Sequence, residues 1–283
     1  MKWMNFFPLA FRAISTSVRI NQNDEQKAIW RLVWQDEFNY GSMPDPAKWN
    51  YEVGFLRNRE AQYYTKGAFS NVRIENRFLL IEARKESFRN PAYEPGSDDW
   101  RKAVEFASYT SCSLTTRGLA SWLYGRIEVR AKIPTGKGAW PAIWMLGENK
   151  SDLGWPRCGE IDIMENVGWD PDRIHGTVHY ADASKEKGYS SCNGNILSEK
   201  PYDAFHIYAV EWDSEKIDFY YDSLHYHRFL LDEAGTGPDN PFRKPFFLII
   251  NLAIGGAWGG EIDDSIFPLK YWIDYVRVYE RLN

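Results

Sequence analysis

The sequence predicts an all-β fold, a sandwich or barrel of many short strands. Three observations carry this. Apolar and polar residues alternate with period two from Leu32 onward. Turn residues punctuate that alternation at close spacing. No stretch repeats its apolar residues at helical spacing over three or more turns.

The elements follow in order. Phe78 to Ala83 alternates as a half-buried strand, and Arg126 to Ile133 does so without a break. His206 to Trp212, Lys216 to Tyr221 and Leu224 to Leu230 form a ladder of three strands. Asp213-Ser214-Glu215 and Asp222-Ser223 separate them with turn chemistry. Pro245 to Ile254 is apolar on both faces, as a strand covered by a second sheet should be. Trp272 to Glu280 closes the chain as a further strand. Ser87 to Ala103 and Ala181 to Pro201 are long and polar and read as loops, which on a rigid β scaffold often carry function. With no internal repeat and no linker, residues 29–283 are expected to form one domain.

Composition narrows the function. The 283 residues are 44% hydrophobic and 26% charged, which is globular and not disordered. A chain of this length buries roughly 75% of the surface it exposes unfolded. The net charge of −5 excludes a broad basic face, so no nucleic-acid partner is expected. Cys112, Cys158 and Cys192 allow at most one disulfide and have no zinc-cluster spacing. Phe246 to Ile250, the most apolar internal run, is far short of the roughly 20 residues that span a bilayer, so no membrane insertion is expected. Residues 1–28 are expected to lie outside the fold, as a secretory signal or as a disordered leader; both readings fit Met1 to Arg12. Aromatic residues make up 16%, with 13 Trp. Such a load fills a β-sandwich core or lines a cleft that stacks on flat apolar faces, including those of sugars.

The densest chemical feature is Gly159-Glu160-Ile161-Asp162-Ile163-Met164-Glu165. Glu160 and Asp162 are two apart on a strand and share a face. Strict alternation sends Glu165 to the other face. One extra residue, a β-bulge near Ile163 or Met164, would bring it round. Glu160 and Glu165 then behave as positions four apart, roughly 13 Å of strand at ~3.3 Å per residue. Side chains leaning together could approach the ~5–5.5 Å carboxyl separation of a retaining glycosidase. A solvated acidic edge is the ordinary meaning of three such acids. The flanking Trp140, Trp144, Trp155, Trp169, His175 and His179 point instead to acids among sugar-stacking rings.

That segment resembles the signature of glycoside hydrolase family 16, in the bulged form of its laminarinase-type members. Further matches run in order along residues 30–280. They include Trp34-Gln35-Asp36-Glu37-Phe38, Asn58-Arg59-Glu60-Ala61-Gln62-Tyr63-Tyr64-Thr65 and Tyr124 to Arg130. Gly138-Ala139-Trp140-Pro141-Ala142-Ile143-Trp144-Met145-Leu146, His175 to His179, Asn251 to Gly256 and Asp274 to Tyr279 follow. The resemblance implies a β-jelly-roll sandwich of two curved antiparallel sheets with a substrate cleft on the concave face. It implies Glu160 as nucleophile, Glu165 as general acid and then base, and Asp162 as an assisting carboxylate that keeps Glu165 protonated.

Other residues follow from the same resemblance. Trp140 and Trp155 are expected as sugar platforms, and Trp144 as platform or sheet core. Trp258 sits where the family often places a subsite aromatic. Asn58 and Glu60 match cleft residues that bond sugar hydroxyls, although Arg57-Asn58-Arg59 departs from the commoner Gly-Asn-Asn. His179 is expected near Glu165 or as a satisfied core histidine. The family often carries a structural calcium on the convex face. Asp274 matches its carboxylate ligand, with Glu37 and Arg77 at positions that give backbone oxygens. Hard oxygen ligands suit that ion; the alternative is a hydrogen-bonded strand aspartate. No catalytic cofactor is expected.

Together these imply a retaining endo-β-1,3-glucanase acting on laminarin-type β-glucan polysaccharides or oligosaccharides, monomeric, and secreted or periplasmic. A mixed-linkage β-1,3-1,4-glucanase, an endo-β-galactosidase and a transglycosylase share the motif. A β-glucan recognition protein is the non-enzymatic alternative, and such proteins typically lack the two glutamates.

Overall fold

The structure, a computed structural model, describes residues 29–282; the expectation for residues 1–28 lies outside them. Seventeen strands follow among the described residues. They are β1 (Ile29–Asp36), β2 (Asn50–Glu52), β3 (Gln62–Tyr64), β4 (Val72–Glu75), β5 (Phe78–Arg89), β6 (Phe106–Ser111), β7 (Ser113–Thr115), β8 (Gly125–Lys132) and β9 (Ala139–Gly147). After them come β10 (Glu160–Val167), β11 (Asp170–Ala181), β12 (Tyr189–Leu197), β13 (His206–Trp212), β14 (Lys216–Tyr221), β15 (Leu224–Leu230), β16 (Phe246–Ile254) and β17 (Leu269–Leu282). The α-helices are single turns: α1 (Trp100–Ala103), α2 (Lys150–Leu153) and α3 (Gly256–Gly259).

The strands form two sheets. One runs β15-β14-β13-β8-β17-β5-β6-β3, with β1 added to β17 and β4 to β5. The other runs β12-β11-β10-β9-β16-β7-β2. Pairing is antiparallel except between β3 and β6. The three-strand ladder lies where the sequence puts it, residue for residue. The segment Ala181–Pro201 differs from expectation, because it contains β12, an edge strand. Its Ser190-Ser191-Cys192-Asn193-Gly194-Asn195 run reads as loop, yet its backbone pairs with β11 from Leu197 back to Tyr189.

Alternation decides what each sheet buries. Ile127, Val129 and Ala131 of β8 point inward and meet Ile143 and Met145 of β9 and Ile161 and Ile163 of β10 in one core. The strands β9 and β16 are buried on both faces. Their second faces carry Ala142, Trp144, Leu146, Phe247 and Ile249, which form a separate apolar cluster on the outside of the second sheet. This outer face is the floor of the cleft described next.

Candidate active site

Gly159, just before β10, has a left-handed φ of 75°. A Cβ there would press on the Pro241 and Phe246 rings, so only glycine allows the chain to turn in at this point. Regular pairing then holds from Glu160 to Asp162. Against β9 the register shifts between Asp162 and Met164, and against β11 between Asp162 and Glu165. Ile163 and Met164 are both fully buried in the core, so two consecutive side chains point inward. Glu165 therefore returns to the face of Glu160 and Asp162, and all three line one cleft of about 420 Å³.

The cleft differs from water in ways that bear on these acids. Burial pushes the Glu160 carboxyl from its ordinary 4.5 up to about 8. The Asp162 charge adds to this, and His179, Arg57 and Lys150 oppose it. Burial also raises Asp162, which its hydrogen bond with Glu160 partly offsets. Glu165 is held well above the carboxylate range by burial and then by the Asp162 charge, against a bond from Trp140. His179 Nε2 lies 3.1 Å from Asp162 Oδ2 and 3.8 Å from Glu160 Oε1. With no lysine or arginine of the described residues within salt-bridge distance, the three carboxyls cannot all be charged together. A neutral Asp162 can donate to an ionised Glu160, which leaves one negative charge on the strand and a proton on Glu165. Among the described residues, Glu160, Asp162 and His179 form the one group whose ligand atoms, within 4.8 Å, could share a cation.

The aromatic residues divide into open and closed rings. Trp155 is 46% exposed, lines the cleft and has its ring 5.1 Å from Tyr189 and 6.3 Å from His179. Trp140 is nearly buried; its Nε1 donates to Glu165 Oε1 at 3.0 Å and its ring meets Trp258 edge-on at 5.5 Å. Trp258 stands 5.1 Å from the His175 ring and receives the Trp169 N–H on its carbonyl at 2.7 Å. Trp144 is 7% exposed, and the Arg57 guanidinium lies 4.6 Å from its ring centroid. Its face is therefore covered by a cation, and it belongs to the sheet floor.

Across the ladder His179 pairs with Glu160 and His175 with Glu165, and the His179 charge still acts on Glu165.

The other wall is a hydrogen-bonded chain. Trp144 Nε1 donates to Asn251 Oδ1 at 2.7 Å, Asn251 Nδ2 to the Tyr64 hydroxyl at 2.9 Å, and Tyr64 to Glu60 Oε2 at 3.1 Å. Gln62 at 2.8 Å and Asn58 at 3.3 Å also donate to Glu60. Burial raises the Glu60 carboxyl, and Arg57 and these donors hold it back. Arg57 itself is clamped by Glu52 at 2.6 and 3.3 Å. Sequence reasoning missed Arg57, Glu52, Lys150 and Asn251 as cleft residues, and Gln62 and Tyr64 as the buried donors behind Glu60. The signal for Gln62 and Tyr64 was their position two and four residues after Glu60, on the same face of an extended chain.

The positions expected to hold calcium converge at a break in the first sheet. Along one edge of β17, pairing with β5 stops at Ile273 and pairing with β1 starts at Val276. Asp274 lies in that gap, at a register shift against β8. Glu37 follows β1 directly, and Arg77 turns between β4 and β5, so both reach the same break. Arg77 Nε donates to Asn39 Oδ1 at 2.9 Å and ties the two loops together. Asp274 Oδ2 accepts from Arg130, and Glu37 from Arg277. Asp274 Oδ1 and the carbonyls of Glu37 and Arg77 are hard oxygen donors of the kind such an ion would need. The three cysteines are free thiols.

The family model described as Glycosyl hydrolases family 16 matches residues 60–277. The chain belongs to this family. A beta-glucanase of Rhodothermus marinus is 42% identical over 276 residues, covering 94% of this chain and 91% of that protein. The solved laminarinase of Rhodothermus marinus is 41% identical with a TM-score of 0.78, over 91% of this chain and all of that one. A chain solved in work on endo-acting O-glycanases, with which prominent members of the human gut microbiota initiate mucin breakdown, is 42% identical with a TM-score of 0.82. It covers 89% of this chain and 91% of its own. The two sheets are thus the β-jelly-roll sandwich of family 16.

Proposed function

We propose that the protein is a retaining endo-glycosidase that cuts internal β-1,3-glucosidic bonds of laminarin-type glucans by double displacement. The bulge at Ile163 and Met164 carries the reading, because it sets Glu165 on the face of Glu160. Glu160 is the nucleophile: its carboxylate attacks the anomeric carbon and forms a covalent glycosyl-enzyme. Glu165 gives its proton to the departing oxygen, then takes one from the attacking water. Asp162 hydrogen-bonds Glu160, and its charge, when present, raises the proton affinity of Glu165. Trp155 and Trp258 flank the acids as ring platforms, and Asn58 and Glu60 bond sugar hydroxyls. The β-1,3 preference is supported by the likeness to the Rhodothermus proteins.

A second reading is an endo-β-galactosidase on mucin-type glycans. It is favoured by the TM-score of 0.82 to the chain solved in work on O-glycanases. Product profiles on laminarin, lichenan, agarose and mucin glycans separate the two. Release of laminari-oligosaccharides supports the first reading, and cleavage confined to galactose-containing glycans replaces it with the second.

The roles have their own test. Glu160→Ser and Glu165→Ala should each lower turnover by at least about 10³-fold. Azide added to Glu160→Ser should give the inverted glycosyl azide, since the anion enters where the carboxylate stood. A retained product would remove Glu160 as nucleophile.

A calcium ion held by Asp274 with the backbone at Glu37 and Arg77 would act on stability alone, far from the acids. Calcium should then raise Tm over chelator-treated protein, by an amount set by RT ln(1 + [L]/Kd). Identical melting curves would remove the ion. Secretion and a monomeric state belong to the same proposal, and fractionation and sedimentation test them.

A further inference from the structure

A second hollow, of about 610 Å³, opens beside the cleft, lined by Asn58, Arg59, Trp100, Gly256 and Ala257. Asn58 lines the cleft as well, so a glycan lying in the cleft passes the mouth of this alcove.

Its backbone is built closely. Asn58 and Arg59 have φ of 52° and 51°, the left-handed region that side chains uncommonly adopt. Ala257 N donates to Asn58 O at 2.8 Å and Glu60 N to Arg57 O at 3.1 Å, which fixes the turn. Gly256, at φ 75°, closes against it. A Cβ there would stand 2.9 Å from Asn58 O and 3.1 Å from Glu60 Cα. The far side is Trp100, the first residue of α1. Its ring packs 6.0 Å from Phe55, and Asn90 Nδ2 anchors the turn through Arg101 O at 2.9 Å and Val104 O at 3.0 Å.

Trp100 is half-buried and Arg59 is exposed. Among the described residues, no carboxylate lies within 4.0 Å of the Arg59 guanidinium. The neighbouring Arg57, by contrast, is committed to Glu52. An indole beside an unpaired guanidinium complements a sugar ring bearing an anionic group. The indole takes the apolar face, and the planar fork takes two oxygens of a sulfate or carboxylate.

We propose that the alcove is an accessory subsite for an anionic sugar residue, one carrying a sulfate ester or a carboxylate, on the glycan held in the cleft. This rests on reading the cleft as a glycan site, and it names the class of substituted glycan that the enzyme prefers. A bare aromatic platform would serve neutral sugars equally; the unpaired Arg59 argues for charge.

The test measures binding by calorimetry to the turnover-deficient Glu160→Gln chain. The probes are a neutral oligosaccharide of the linkage that the wild-type chain cuts, its sulfated form and its C6-carboxylated form. The anionic probes should bind about five- to tenfold more tightly than the neutral one, and added salt should weaken the preference. Arg59→Gln should abolish that preference, and Arg59→Lys should keep part of it. A response confined to the sulfated or to the carboxylated probe identifies the group, and either supports the proposal. Equal binding of neutral and anionic probes, or a preference that survives Arg59→Gln, overturns it. A chain that binds none of the probes, neutral or anionic, overturns the reading of the cleft, and the alcove with it.

Discussion

Asp162 on β10 and Asp218 on β14 are the same residue type at nearly the same depth, 3% and 2% exposed, on the two different sheets. Their surroundings are opposite. Asp218 accepts from Arg228 at 2.5 and 3.0 Å and lies 2.9 Å from Lys216 and 3.0 Å from His225. Asp162 has His179 at 3.1 Å, and its Oδ2 receives no hydrogen bond from the described residues. Burial pushes both carboxyls upward. At Asp218 the bonds from Arg228 and Lys216 outweigh it and hold the group below the ordinary range; at Asp162 the opposing contact with Glu160 does not. The ladder explains why. Asp218 faces Arg228 across its pair, whereas Asp162 faces Trp144 on one side and Thr177 on the other. Cross-strand neighbours decide whether a buried acid is a fixed charge or a proton carrier.

The comparison breaks most visibly at Asp218. Asp218→Ala should destabilise the protein by about 2 kcal/mol at pH 7, read by urea unfolding, because it removes the buried carboxylate that joins three partly exposed cations. Its folded pKa is depressed, so its contribution is present above the unfolded value near 3.8 and lost as pH falls. The wild-type and variant stabilities should converge on acidification. A loss under about 1 kcal/mol at pH 7 would mean that the half-exposed Arg228 and Lys216 solvate as well in water as beside Asp218.

Asp162 should behave in the reverse sense. Its folded pKa is raised, so the unfolded chain releases a proton that the folded chain keeps. The associated stability is present at pH below about 4 and declines as pH rises toward the folded value. Asp162→Asn removes this dependence, and its amide can still donate to Glu160. The variant should match wild type near pH 4 and exceed it at pH 8 by about 1–2 kcal/mol, seen as a Tm rise of about 2–6 °C. An advantage at acid pH and none at alkaline pH would contradict a raised Asp162.

How much of this was legible in the sequence depends on distance along the chain. The ladder from His206 to Leu230 was readable because Asp213-Ser214-Glu215 and Asp222-Ser223 are local turn chemistry. The bulge was readable because strict alternation would have put Glu165 among the core residues. The position of His179 was hidden: counting back from the Gly168-Trp169 turn sets Thr177 opposite Glu160, and only the register shifts along β10 bring His179 there. The strand β12 was hidden because an edge strand of Ser, Asn and Gly carries no apolar period. The covering of Trp144 was hidden for another reason. Arg57 arrives from 87 residues away, and neither its alternation nor its spacing announces a stacked guanidinium. Likewise the cations of Asp218 are near in sequence, whereas the lack of cations at Asp162 is a property of three separate strands.

The smallest effect sharpens the comparison at the chemistry itself. Turnover needs one negative charge on the Glu160 and Asp162 pair and a proton on Glu165. The acid side of the kcat/KM profile should therefore report the first ionisation of the pair, and the alkaline side the loss of the Glu165 proton. The Asp162 charge raises both Glu160 and Glu165. Asp162→Asn removes that charge and keeps the shape, so the alkaline limb should move to lower pH by up to about one unit, or ~1.4 kcal/mol, while the acid limb, set with Asp162 neutral, should not fall. The rate at the optimum should fall without vanishing, because an amide donates to Glu160 more weakly than a carboxylic acid. Purely structural damage would lower the rate and leave both limbs in place. If only the acid limb moves, Asp162 acts on Glu160 alone and the proton on Glu165 is held by burial. If neither moves, the contrast with Asp218 is one of packing, and the Asp162 charge reaches neither glutamate.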